Sequence, residues 1–235
     1  MAVREAREKL HPWEKDYPCA TWLPVICQNP AVESINWVHL GGKPACPYQG
    51  LFAFREEDAD IFFGREAVSE ELYQRVESRQ TLIAVVGASG SGKSSVVFAG
   101  LIPRLRNTGV EIVNFRPGKN PFESLAVALA PKWYEANHPG YDFENLQPYE
   151  RRCHELDLLI TKLKDKRGLC EIIETIVATS SRRLVIVADQ FEELYTLLPQ
   201  SEENTCELFL DSLLNAVNDS PAFTLVLTIR ADFLH

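Results

Sequence analysis

Gly87-Ala88-Ser89-Gly90-Ser91-Gly92-Lys93-Ser94 satisfies the pattern G-x-x-x-x-G-K-[ST] in full. Residues of these types at this spacing can hold the phosphates of a nucleoside triphosphate. Glycines allow positive φ and bring backbone amides close to phosphate oxygens. The pattern predicts that Lys93 reaches the β- and γ-phosphates and that the Ser94 hydroxyl binds Mg2+. Gly87, Ser89, Gly90, Ser91, Gly92 and, just inside the following helix, Ser95 complete the expected phosphate-binding set. The start of that helix adds its own unpaired N–H groups and the positive end of its dipole.

Such a loop needs a carboxylate delivered from a second strand toward the metal. Asp189 meets the requirement, because it follows the apolar run Leu184-Val185-Ile186-Val187-Ala188. In an open parallel sheet, ligands bind beyond the carboxyl ends of the strands, which would set Asp189 beside Ser94 as the second metal residue. Glu192 and Glu193 follow within four positions, and either could orient and deprotonate an attacking water. Acidic residues at a helix start also favour its dipole, a purely structural role.

The elements that must position these groups are legible around them. Thr81–Val86 is a continuous apolar run, rich in β-branched residues, that ends at the first loop glycine, as a strand buried on both faces would. A helix is expected from Lys93 to about Arg106, then a strand over Glu111–Phe115 and a helix over Pro121–Glu135. Residues 136–150 are polar and turn-rich. Helical patterns return at Leu156–Lys164 and Leu169–Thr179, and the third strand is Leu184–Ala188. Helices near Phe191–Leu198 and Cys206–Val217 precede a fourth strand over Ala222–Ile229. Upstream, Ala67–Ser78 reads as a helix. Strands alternating with helices imply right-handed crossovers and an α/β sheet covered on both sides.

The chain has 235 residues, 46% of them hydrophobic and 24% charged, enough for a domain with a real core. A net charge of −9 argues against a general nucleic-acid-binding surface. Six cysteines occur without any C-x-x-C spacing, which argues against zinc and for reduced thiols. No apolar run is long enough to span a membrane, and the amino terminus lacks the apolar region of a signal peptide. These features predict a cytoplasmic protein. Residues 1–46 differ in texture, with three of the four tryptophans and several turn signals, and read as an appendage to a core over 47–235.

Four motifs in order resemble the bacterial STAND-class NTPases, signal-transduction ATPases often fused to WD-repeat or peptidase modules. They are Pro47–Leu51 with Asp58–Glu66, the phosphate loop, Asp189–Glu193, and Thr228–Phe233. The resemblance implies an ASCE-type P-loop NTPase fold, a three-layer sandwich around a mainly parallel sheet, with ATP as the nucleotide and Mg2+ as the metal. It also implies that Gly64 and Arg65 lie near the adenine and ribose. Arg230 would sense the γ-phosphate, a task that suits a guanidinium fork. Residues 2–30 more weakly resemble the last helix and strand of caspase-like CHAT peptidase domains, without the elements needed to build a protease site around His11 or Cys19.

Proteins of this class continue with a fifth strand, a helical lid and a winged-helix domain, in a sheet ordered 5-1-4-3-2. The chain is therefore expected to be truncated before the fifth strand and lid, with weak hydrolysis and an exposed strand edge that invites self-association or a protein partner. Three functions remain open: an ATPase switch core, a non-catalytic nucleotide-binding interaction module, and a small-molecule kinase. No lid or acceptor site supports the kinase.

Overall fold

The computed structural model describes residues 52–140, 149–198 and 203–233. The expectations for the tryptophan-rich appendage, the peptidase-like segment and Pro47–Leu51 lie outside these residues.

Four strands form one parallel sheet: β1 (Leu82–Gly87), β2 (Glu111–Phe115), β3 (Leu184–Ala188) and β4 (Phe223–Arg230). Their order is β1-β4-β3-β2. Every pairing is parallel, so the connections cross the sheet faces and carry helices: α1 (Glu66–Glu77) before β1, then α3 (Pro121–Asn137), α4 (Tyr149–Leu163), α5 (Gly168–Ser180), α6 (Glu193–Thr196) and α7 (Glu203–Asp219). The helix after the phosphate loop, α2, runs through three contiguous pieces, Lys93–Ser95, Val96–Leu101 and Ile102–Arg106. Its middle piece is wound as a π-helix. Pro103 lies two residues past its end and has no N–H to give to a carbonyl one turn back, so the looser winding precedes a position where the regular ladder would fail anyway.

Alternation along β3 assigns the two faces. Leu184, Ile186 and Ala188 join a core with α3, α4, α5 and α7, while Val185 and Val187 join a second core with α1 and α2. All five β3 residues are buried. This is the three-layer sandwich of a P-loop NTPase. Phe209 of α7 anchors the larger core, edge-on to Phe115 and Phe122 at centroid distances of 6.2 and 5.2 Å.

The structure departs from the sequence reading at three places. β1 is not buried on both faces, since Leu82 and Val86 are 43% and 44% exposed. Helix α4 begins at Tyr149 rather than Leu156, since its first turns are polar and carry little apolar period. The helix expected over Phe191–Leu198 shrinks to Glu193–Thr196, because Gln190 takes a left-handed φ of 54° and the chain must turn before helix can start.

Candidate functional site

The sheet ends in loops at the carboxyl side of its strands, and the predicted chemistry gathers there. After β1 the chain turns through Gly90 and Gly92 at φ 72° and 85°, a conformation costly for any residue with a Cβ. The Ser91 N–H donates to the Ala88 carbonyl at 3.2 Å and closes the turn. Ala88–Ser91 stand exposed, and α2 begins with Lys93. The Lys93 ammonium donates to the Gly87 and Ala88 carbonyls at 3.0 and 2.9 Å, so it folds over its own loop.

Ser94 and Asp189 meet, as expected from their places at neighbouring strand ends. The Ser94 hydroxyl donates to Asp189 Oδ1 at 2.6 Å. That bond uses the hydroxyl proton and leaves the oxygen lone pairs for a cation, so the pair fits a hard divalent ion such as Mg2+. Asp189 itself extends the sheet ladder, its N–H donating to the Phe115 carbonyl at 2.9 Å, and its side chain is fully buried.

Two further residues hold Asp189, and the sequence motifs pointed to neither role. Thr228 on β4 donates its hydroxyl to Asp189 Oδ1 at 2.8 Å and accepts from the Gln190 N–H at 2.9 Å. One buried hydroxyl thus fixes both the carboxylate and the turn after it. Arg116, just past β2, binds Asp189 Oδ2 through Nε at 3.0 Å and Nη2 at 2.9 Å. The position of Arg116 one residue beyond a strand end was the available signal, readable only once β2 was known to lie beside β3.

The glutamates that follow separate in role. Glu193 Oε2 accepts from the Gly118 N–H at 3.2 Å, which ties it to the loop after β2. Glu192 has one carboxylate oxygen, Oε2, buried without a hydrogen-bond partner.

Strand register sets Arg230 opposite Gly87, the first residue of the phosphate loop. Its guanidinium binds Asp232 at 3.1 Å from Nε and 2.6 Å from Nη2, and lies 5.3 Å from the Phe233 ring centroid. The Arg230 guanidinium holds the Asp232 carboxyl below the ordinary carboxylate range, and the Lys93 charge adds to the effect.

Gly64 and Arg65 form the turn that starts α1, with Gly64 at φ 83° and its N–H on Glu66 Oε1 at 2.8 Å. Neither hydrogen-bonds the phosphate loop. The segment is instead joined to α2 through Phe54, whose N–H donates to Ser95 Oγ at 3.1 Å. The Ser95 hydroxyl is thereby engaged away from the loop.

The sequence profile of the family described as Novel STAND NTPase 1 matches residues 47–235. No curated protein matches the chain.

Proposed function

We propose, since this chain belongs to the Novel STAND NTPase 1 family and carries a STAND nucleotide-binding module, that it binds ATP with Mg2+, hydrolyses it slowly, and serves as the switch core of a cytoplasmic signalling protein. One observation carries the reading: Ser94 of the phosphate loop donates to buried Asp189 at 2.6 Å, which pairs a metal-binding hydroxyl with a carboxylate at the strand ends. Magnesium, when bound, would neutralise charge on the terminal phosphates.

The residues divide the work. Backbone amides of Gly87–Ser95 surround the phosphates, with Ser95 contributing through its amide because its hydroxyl accepts from Phe54. Lys93 leaves the Gly87 and Ala88 carbonyls for the β- and γ-phosphates. Glu192 orients the attacking water, a role supported by its buried, unpartnered oxygen; Glu193 is the alternative base, though Gly118 already engages it. Arg230 exchanges Asp232 for the γ-phosphate, and Gly64 with Arg65 borders the adenosine. ATP binding then shifts an equilibrium with protein partners or other copies of the chain.

A non-catalytic nucleotide-binding module is the second reading, favoured by the three donors already on Asp189. Titration calorimetry with ATP and Mg2+, run beside phosphate release on wild type and Lys93→Ala, separates the two. The expected result is binding lost in Lys93→Ala together with slow turnover in wild type. Glu192→Gln is expected to retain binding and lose turnover by about a hundredfold. Binding without turnover would select the second reading, and no binding by folded wild type would overturn both.

A further inference from the structure

Both oxygens of Asp189 are covered. Oδ1 accepts from Ser94 at 2.6 Å and Thr228 at 2.8 Å, which fills its two lone-pair positions. Oδ2 accepts from Arg116 Nε at 3.0 Å, and Nη2 of the same guanidinium stands 2.9 Å from it, so the cation lies over the one oxygen that still has a lone pair. A metal held by Ser94 reaches such a carboxylate directly or through one of its waters, and either route needs an uncovered acceptor position. One of the three partners must therefore move.

The three are not equally movable. Ser94 is fixed at the start of α2 and must keep its place to hold the metal. Thr228 is fully buried on a central strand, and its hydroxyl also holds the turn at Gln190. Arg116 is different. Its side chain is 52% exposed on the loop that leaves β2. It also lines a cavity of about 470 Å3 with Phe52, Phe54, Glu57, Phe98 and Asn114, which gives a displaced guanidinium room. Arg116 presents a guanidinium cation to Oδ2, so it competes with a metal ion for the same oxygen on like terms.

We propose that Arg116 is a counter-cation that Mg2+ must displace from Asp189 Oδ2, so that this residue sets how strongly nucleotide affinity depends on magnesium. The proposal rests on the reading of the site as a nucleotide and Mg2+ site. Arg116 is a positioning residue in this scheme: it acts through Asp189 and need not touch the nucleotide.

The test is the ratio of ATP dissociation constants measured in EDTA and in saturating Mg2+, for wild type and Arg116→Gln. Removing the competitor is expected to raise that ratio on the order of tenfold, because a charge-assisted hydrogen bond no longer opposes the metal. A merely structural arginine would weaken both affinities together and leave the ratio unchanged. An unchanged or lowered ratio in a variant that still binds ATP overturns the proposal and leaves the nucleotide reading standing. Absence of ATP binding by folded wild type overturns both. Should Arg116→Gln fail to fold, Arg116→Met carries the test. It keeps much of the side-chain bulk but removes the cation, and a ratio no higher than wild type would again refute the displacement.

Discussion

Three residues from separate stretches of chain converge on one buried carboxylate, and each is needed for a different reason. Ser94 connects Asp189 to the phosphate loop, Arg116 supplies a compensating charge, and Thr228 locks the carboxylate to the turn that follows it. Thr228→Val keeps the shape of the side chain but removes a donor to Asp189 and the acceptor of the Gln190 N–H. Unpaired buried groups are costly, so the substitution is expected to destabilise the fold by about 2–3 kcal/mol. Urea denaturation should show a lower midpoint with unchanged slope, and Thr228→Ser should recover most of the loss. At this scale the sequence disclosed half of the arrangement. The phosphate loop is a contiguous pattern whose spacing encodes its own geometry, and Asp189 stands at the end of an apolar run. Arg116 and Thr228 lie 73 and 39 positions from Asp189, and only the sheet order brings them together.

At the scale of elements, the approach of α1 to the π-wound part of α2 fixes how the phosphate-loop helix sits on the sheet. Gly100 permits that approach, since a Cβ built there would overlap Ser69 Oγ and come within 3.0 Å of Ser69 Cβ. Gly100→Ala is therefore expected to cost about 1–2 kcal/mol despite the gain in helix propensity. Ser69 Oγ is buried without a partner, so Ser69→Ala alone should be close to neutral. The double variant should recover at least about 0.5 kcal/mol relative to the sum of the singles, measured as a denaturation cycle. A strictly additive pair would show that the helices do not meet through these two residues. The sequence foretold both helices but neither their crossing nor the π winding. Strand positions were more legible than helix ends, because apolar runs mark a buried parallel strand directly, whereas the polar first turns of α4 and the left-handed Gln190 before α6 carry no periodic signal.

Across the whole molecule, the two ends of the sheet are built differently. The carboxyl end gathers the site, with glycines in left-handed conformations and charges held in readiness. The opposite end is pinned by Glu111 at the start of β2, whose carboxylate binds Lys132 of α3 at 2.7 Å and Arg182, just before β3, at 3.2 Å. Burial pushes the Glu111 carboxyl up, but hydrogen bonds and charge from Lys132 and Arg182 outweigh it and leave the group below the ordinary glutamate value of 4.5. A carboxyl whose folded value is depressed binds protons less readily than the unfolded chain does. Its stabilisation is therefore complete above about 4.5 and is lost as pH falls through the folded value. The contribution is small, about 1 kcal/mol, because Lys132 and Arg182 are 35% and 58% exposed and solvent screens them. Glu111→Gln should accordingly be less stable than wild type at pH 7 by about this amount, with the gap closing on acidification toward pH 3. Thermal or urea midpoints across that range provide the measurement. A gap that stayed constant with pH would mean that Glu111 acts through packing and not through its charge. Because these contacts lie at the far end of the strands from Asp189, the variant should also leave nucleotide affinity unchanged, which separates the pinned end of the sheet from the end that binds.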